Sequence, residues 1–388
     1  MQFTDFEKLD LNRLPSPCFV VDEVAVERNL KILAQLAEDS GAKVLSALKA
    51  FSMWRLAPLV SSYLSGTCAS GLHEARLGRE YYAGEVHVFS AAYTEDDLKE
   101  ILAIADHVVF NSCAQWRRFR PLALEARTRR PGLQFGLRIN PQHSEGDVPI
   151  YDPCAPGSRL GIPLSELDAN ELEHISGLHF HTLCEQDFPP LQRTLRAVEE
   201  QFGHLLADLQ WVNFGGGHHI TLPGYQRDKL TACIREFSSR YDVQVYLEPG
   251  EAVAIGTGVL VTEVLDLSWN QLDQAIVDTS ATCHMPDLLE MPYRADILGA
   301  SEPQELEHTY RLGGLTCLAG DVMGDYSFSE PLQVGQRLMF GDMSHYTMVK
   351  TSTFNGTKLP AIALWNSATD ALEIVREFGY EAFKGRLS

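Results

Sequence analysis

From about residue 20 to residue 255, short apolar runs alternate with stretches whose apolar residues recur every three or four positions. That pattern predicts strands separated by helices. The strand-like runs are Val44–Ala47, Thr67–Ala69, Val86–Phe89, His107–Phe110, Phe135–Ile139, Gly177–Phe180, Trp211–Phe214 and Val243–Leu247. Helical periodicity covers Leu72–Tyr82, Asp96–Ala105, Ala114–Ala126, Leu191–Leu206 and Tyr225–Tyr241. A further helix over Glu23–Ser40 opens after Asp22, a good N-cap, and stops at Gly41. Eight strands with helices between them is the count of a (β/α)8 barrel, although a doubly wound open sheet gives the same alternation.

After about residue 256 the texture changes. Val259–Leu265, Gln274–Asp278, Thr309–Gly313, Arg337–Phe340 and Ala361–Trp365 are short apolar runs with turn residues between them and little helical patterning. The chain therefore divides into an α/β barrel over 20–255 and a mostly β domain over 256–388, completed by 1–19. Its 388 residues exceed what one core organises, which fits two domains. The polar, Pro- and Gly-containing stretch Pro141–Ser158 reads as a mobile loop beside a site.

Composition narrows the function. Apolar content of 45% with 22% charged residues describes a globular chain, and a net charge of −20, from 52 acids against 32 bases, disfavours nucleic acid and anionic membranes. The same charge suits a cationic small molecule. Met1–Glu7 lacks the basic start and apolar core of a signal peptide, and no apolar run is long enough to span a membrane. Eight cysteines occur singly without a CxxC pair, so the expectation is a cytoplasmic protein with no cysteine-based metal site.

The working residues of a barrel sit at the C-terminal ends of its strands. Lys49 follows the first run, where desolvation would lower its pKa and free the amine to attack a carbonyl; a solvated lysine is the plainer reading. Gly215-Gly216-Gly217 follows the seventh run and serves either as a tight turn or as backbone N–H groups closing on a phosphate. Glu248-Pro249-Gly250 ends the eighth. A buried glutamate there needs a cation, either a protonated ring nitrogen or an arginine such as Arg138. His179-Phe180-His181 ends the sixth; His181 suits stacking on an aromatic ring, and His179 reads as a hydrogen-bonded core histidine. Zinc at these histidines, with His218 and His219, lacks a completing ligand set.

Farther on come the irregular stretch around Thr316-Cys317, the run Ser344-His345-Tyr346-Thr347, and Ser352-Thr353-Phe354-Asn355-Gly356. In this order the pieces resemble the fold-type III pyridoxal-phosphate decarboxylases of ornithine and diaminopimelate, over nearly the whole chain. Two features depart from those relatives: Glu251 stands where they usually carry an arginine after Glu-Pro-Gly, and Leu318 stands where they place an acid. The runs His179–Glu185 and Asp278–Asp287 are similar to the carboxynorspermidine decarboxylase branch.

The resemblance implies pyridoxal 5'-phosphate bound through Lys49, with Glu248 at its ring nitrogen and His181 on its ring face. It implies phosphate contacts from Gly215, Gly216, Gly217, Gly250 and Tyr346, with Arg138 completing the shell. Cys317 would return a proton to the substrate, reaching the site from the second subunit of a homodimer. The substrate would be a carboxylated polyamine, with Asp321, Glu185, Glu290 and Cys184 as candidates for its tail and no metal required. Diaminopimelate or another basic amino acid is the alternative substrate, and a racemase or a catalytically silent regulatory relative is the alternative activity.

Overall fold

The computed structural model describes residues 4–146 and 148–388. It falls into two compact units, Glu27–Val253 and a second made of the residues up to Val26 together with Ala254–Ser388. The first strand, β1 (Cys18–Asp22), explains the shift from the expected boundary at residue 20. It pairs antiparallel with residues 258–261 and parallel with residues 361–365, so it is part of the second unit's sheet. All five of its residues are buried.

In the first unit β2 (Lys43–Ala47), β3 (Gly66–Ala69), β4 (Glu85–Phe89), β5 (His107–Phe110), β6 (Gln134–Arg138), β7 (Gly177–His179), β8 (Trp211–Asn213) and β9 (Gln244–Leu247) form a closed barrel in chain order. Closure comes from the parallel pairing of Lys43 with Tyr246 and Val44 with Leu247, which rules out the open sheet. The connections are the helices Leu72–Tyr81, Glu95–Ile104, Cys113–Arg129, Phe188–Leu206 and Arg227–Tyr241, with the short Ala57–Ser61 after β2. Their ends follow local chemistry: Thr94 and Ser112 cap theirs by accepting the N–H groups of Asp97 and Gln115.

Among the described residues between β6 and β7 run short 3-10 turns and no α-helix. Part of this segment was expected to be mobile. Two of its described residues contact the helix Phe188–Leu206: Glu145 pairs with both Arg193 Nε at 2.8 Å and Nη2 at 2.6 Å, and Gln201 Nε2 donates to Pro141 O at 2.6 Å.

The barrel interior is filled by large side chains. Trp211 lies over Gly177, where a Cβ would meet its ring at 2.1 Å, so only glycine fits beneath it. Gly177→Ala should destabilise the protein by about 1–3 kcal/mol through overpacking. An unchanged urea midpoint would contradict that reading. Towards the N-terminal end of the strands, Glu85 takes Lys43 Nζ at 2.5 Å, Tyr246 OH at 2.9 Å and His87 Nε2 at 2.9 Å. Burial pushes the Glu85 carboxyl up, but the hydrogen bonds from His87, Lys43 and Tyr246 outweigh it and leave it below the usual carboxylate range. His107 stacks on His87 with ring centroids 3.8 Å apart and planes 18° from parallel. Glu85, His87 and His107 are close enough to suggest a metal cluster. Imidazole lone pairs lie in the ring planes, however, and two stacked rings cannot share one ion at about 2.0–2.1 Å.

The second unit is built on β10 (Gly258–Trp269), which pairs with β1, with β11 (Asp273–Val277) and with a later strand at Arg337–Gly341. The sheet continues through β12 (His308–Gly313) and β13 (Val322–Phe328). That later strand is β14, and β15 (Ala361–Asn366) and β16 (Ala371–Arg376) extend the other side of β1. Its core gathers Phe6, Leu9, Val20, Val259, Val261 and Trp365. No helix among the described residues is long and apolar enough to cross a membrane.

Candidate active site

The C-terminal ends of the barrel strands bring together most of the residues singled out in the sequence. Lys49 lies two residues beyond β2, in a turn held by Ala47 N–H on Pro249 O at 3.0 Å and Phe51 N–H on Ala47 O at 3.3 Å. Its neighbours Leu48 and Ala50 are buried while Lys49 is exposed. Gly250 lies against this turn: a Cβ there would stand 2.6 Å from Ala50 Cβ.

Glu248 follows β9 and faces β7 and β8. Asn213 Nδ2 donates to Glu248 Oε1 at 2.8 Å, while Asn213 Oδ1 accepts Gly215 N–H at 2.8 Å. Asn213 thus joins the acid to the glycine loop, a role the sequence did not reveal. His179 Nε2 stands 3.3 Å from Glu248 Oε2, but at an angle that makes no hydrogen bond. Neither ring nitrogen of His179 has a hydrogen-bond partner among the described residues, contrary to the expected bonded core histidine. Burial holds His179 below the ordinary imidazole value. For Glu248, burial pushes the carboxyl up, while the Asn213 amide that donates to it favours the charged form. A neutral His179 beside an ionised Glu248 is the assignment that leaves the charge on the less buried side chain.

Arg138, at the end of β6, does not pair with Glu248. Its Nη2 donates to His181 O at 3.0 Å, and its guanidinium lies 4.5 Å from the Phe89 ring centroid. Burial lowers its pKa to about 10, still a cation at neutral pH. His181 is fixed at a second point, because Nδ1 accepts Gly216 N–H at 3.1 Å. That bond places the ring proton on Nε2. Burial, reinforced by the positive charges of Lys49 and Arg138, holds His181 well below the ordinary imidazole value, so the ring is neutral.

The three glycines pass through spaces that admit no side chain. A Cβ on Gly216 would lie 2.1 Å from Glu248 O, and one on Gly217, whose φ is +83°, would lie 1.9 Å from Leu183 O. Two of the loop's N–H groups are already used, Gly215 by Asn213 and Gly216 by His181. The phosphate cradle expected here is therefore narrower than three open amides. Cys184 is half-buried, and burial, with the charges of Glu185 and Glu251, raises it to about 11 against the opposing charge of Lys49. Glu185 is exposed, with a left-handed backbone at φ 54°. Glu251 stands 3.4 Å from His219 Nε2, an acid paired locally.

In the sheet unit Cys317 is exposed and its N–H is held by Asn355 Oδ1 at 2.9 Å. Tyr346 is half-buried, with a strained φ of 41°. Glu290 shares the Lys350 ammonium with Asp287, and Asp321 is enclosed by hydroxyls and backbone N–H groups, so both acids are already partnered within this unit.

A family model described as pyridoxal-dependent decarboxylase, C-terminal sheet domain, matches residues 18–344. The chain belongs to this family. Among curated relatives, a carboxyaminopropylagmatine decarboxylase of Synechocystis sp. is 45% identical over 97% of this chain and 96% of its own. A carboxynorspermidine/carboxyspermidine decarboxylase of Campylobacter jejuni is 42% identical over 96% of this chain and 99% of its own. Among solved structures, the carboxynorspermidine decarboxylase of Campylobacter jejuni complexed with norspermidine matches with a TM-score of 0.88 and 41% identity, covering 96% of this chain and 100% of that one. This decarboxylase uses pyridoxal phosphate, and its barrel residues fit that group. Lys49 supplies an accessible amine, Glu248 an ionised carboxylate, His181 a neutral ring, and the glycine loop a surface cleared of side chains.

Proposed function

We propose that this decarboxylase removes the α-carboxylate of a carboxylated triamine, carboxynorspermidine or carboxyspermidine, giving norspermidine or spermidine. The observation that carries the reading is the convergence of Lys49, Glu248 and His181 on one end of the barrel. The similarity to enzymes named for these substrates, and a net charge of −20 that draws in a polycation, support it.

Bound pyridoxal phosphate supplies an electron sink for the carbanion left when carbon dioxide departs. Lys49 would hold the cofactor through its amine. Glu248, fixed by Asn213, would favour a positive charge on the ring nitrogen. His181, clamped by Gly216 and Arg138, would pack against the ring. The glycine loop and Tyr346 would hold the phosphate. Cys317, contributed by the second subunit of a homodimer, would give its S–H proton to the α-carbon.

A second reading has its own support: the relative at 45% identity is named for a substrate whose tail ends in agmatine's guanidinium. Both substrate types present an amino-acid head and a cationic tail. Carbon dioxide release separates them, measured on the cofactor-loaded protein with carboxynorspermidine, carboxyspermidine, carboxyaminopropylagmatine, meso-diaminopimelate, ornithine and lysine. The expected result is a kcat/KM for the carboxylated triamines at least about 10²-fold above diaminopimelate, whose distal carboxylate leaves charged groups unpaired. Preference for carboxyaminopropylagmatine would move the assignment to the guanidinium tail. Preference for diaminopimelate would overturn both readings.

A further inference from the structure

We propose that Asp321 is a positioning residue for Cys317, setting where the thiol is presented, and not a contact for the substrate tail. The proposal rests on the reading of Cys317 as the proton donor. Asp321 is only 4% exposed, and a buried carboxyl needs donors. Ser280 Oγ lies 3.0 and 2.9 Å from its two oxygens, one hydroxyl shared between them. Thr282 N–H reaches Oδ1 at 3.2 Å, while Thr316 N–H and Thr316 Oγ1 reach Oδ2 at 3.0 and 2.7 Å.

These donors come from two separate stretches of chain. One is the short helix Ala281–His284 with its cap Ser280, and the other is the turn that carries Cys317. Asp321 ties them together, and its own N–H closes the turn on Leu318 O at 2.9 Å. A carboxylate has about four lone-pair sites, and the Ser280, Thr282 and Thr316 donors occupy them, leaving none for an ammonium group. The turn that results has a fixed base and an exposed tip. Cys317 is exposed, as are Leu315 and Leu318 of the same turn at 49% and 46%, and Asn355 Oδ1 holds its N–H.

Asp321→Asn preserves shape but replaces one acceptor with an N–H₂ facing other donors. Displacing a reacting group by about 1 Å costs up to about 10²-fold, so kcat should fall between about 10- and 10²-fold while KM stays within about twofold. A larger share of turnovers should end in the aminated cofactor, as expected for Cys317→Ala. The double variant should be no slower than Cys317→Ala alone, because both changes remove the same placed proton.

A readout independent of catalysis is alkylation of Cys317 by iodoacetamide in the cofactor-loaded protein, followed at the peptide containing residue 317. Its rate should change by at least about fivefold in Asp321→Asn. A raised KM with unchanged labelling and product partition would overturn the proposal in favour of substrate contact. Altered labelling alongside a Cys317→Ala variant of normal rate and product would remove the acid role and leave the positioning role standing. Should Asp321→Asn fail to fold, Thr316→Val deletes one hydroxyl donor and should shift labelling and partition in the same direction by less. A folded Thr316→Val that leaves both unchanged overturns the proposal.

Discussion

Replacing Lys49 with alanine should lower steady-state turnover by at least about 10³-fold, since on the proposed reading this one amine would anchor the cofactor and hand it to the substrate. The loss would be chemical. Lys49 is exposed, while the turn that carries it is held by backbone bonds to Pro249 and Ala47 and by the close approach of Gly250. Removing the side chain of an exposed residue in an intact turn should change stability by no more than about 0.5 kcal/mol. Two measurements check this: carbon dioxide release, and borohydride reduction, which should fix pyridoxal phosphate to residue 49 of the native protein and to no residue of the variant. Sustained turnover by Lys49→Ala would sink the assignment of the barrel residues.

Glu248→Gln should have the next largest effect, about 10³-fold on kcat. A carboxylate 4 Å from a ring cation at an effective dielectric near 20 contributes about 4 kcal/mol. At about 1.36 kcal/mol per tenfold, that is three orders of magnitude in rate. The effect belongs on kcat because the protonated ring matters most when carbanion charge develops. Glutamine keeps the shape and can still accept from Asn213, so the change isolates the charge. A kcat within about fivefold of the native value would show that Glu248 serves only to order Asn213 and the glycine loop.

The sequence made Lys49 and Glu248 visible for one reason: a charged residue directly after an apolar run stands out against the strand that delivers it. The barrel was legible through the same alternation. What stayed hidden depended on partners far apart in the chain. β1 is defined by pairing with residues about 240 and 340 positions away, which no local pattern announces. Asn213 is an ordinary polar residue in sequence, and only the fold shows it joining Glu248 to Gly215. For Asp321 and Glu290 the sequence shows acids of the right charge, while only the fold shows the contacts they make with Ser280, Thr316 and Lys350. His179 was misjudged in the opposite direction, since burial suggested bonds that its ring nitrogens do not make.

The tryptophan that fills the barrel above Gly177 also governs traffic. With Trp211 2% exposed and Glu85, Lys43 and Tyr246 bonded together towards the other end of the strands, the barrel is a vessel with a stopper. Side chains that fill the N-terminal end of the strands leave the C-terminal end, where Lys49 and Glu248 stand, as the side from which a substrate would reach them and to which carbon dioxide would be released.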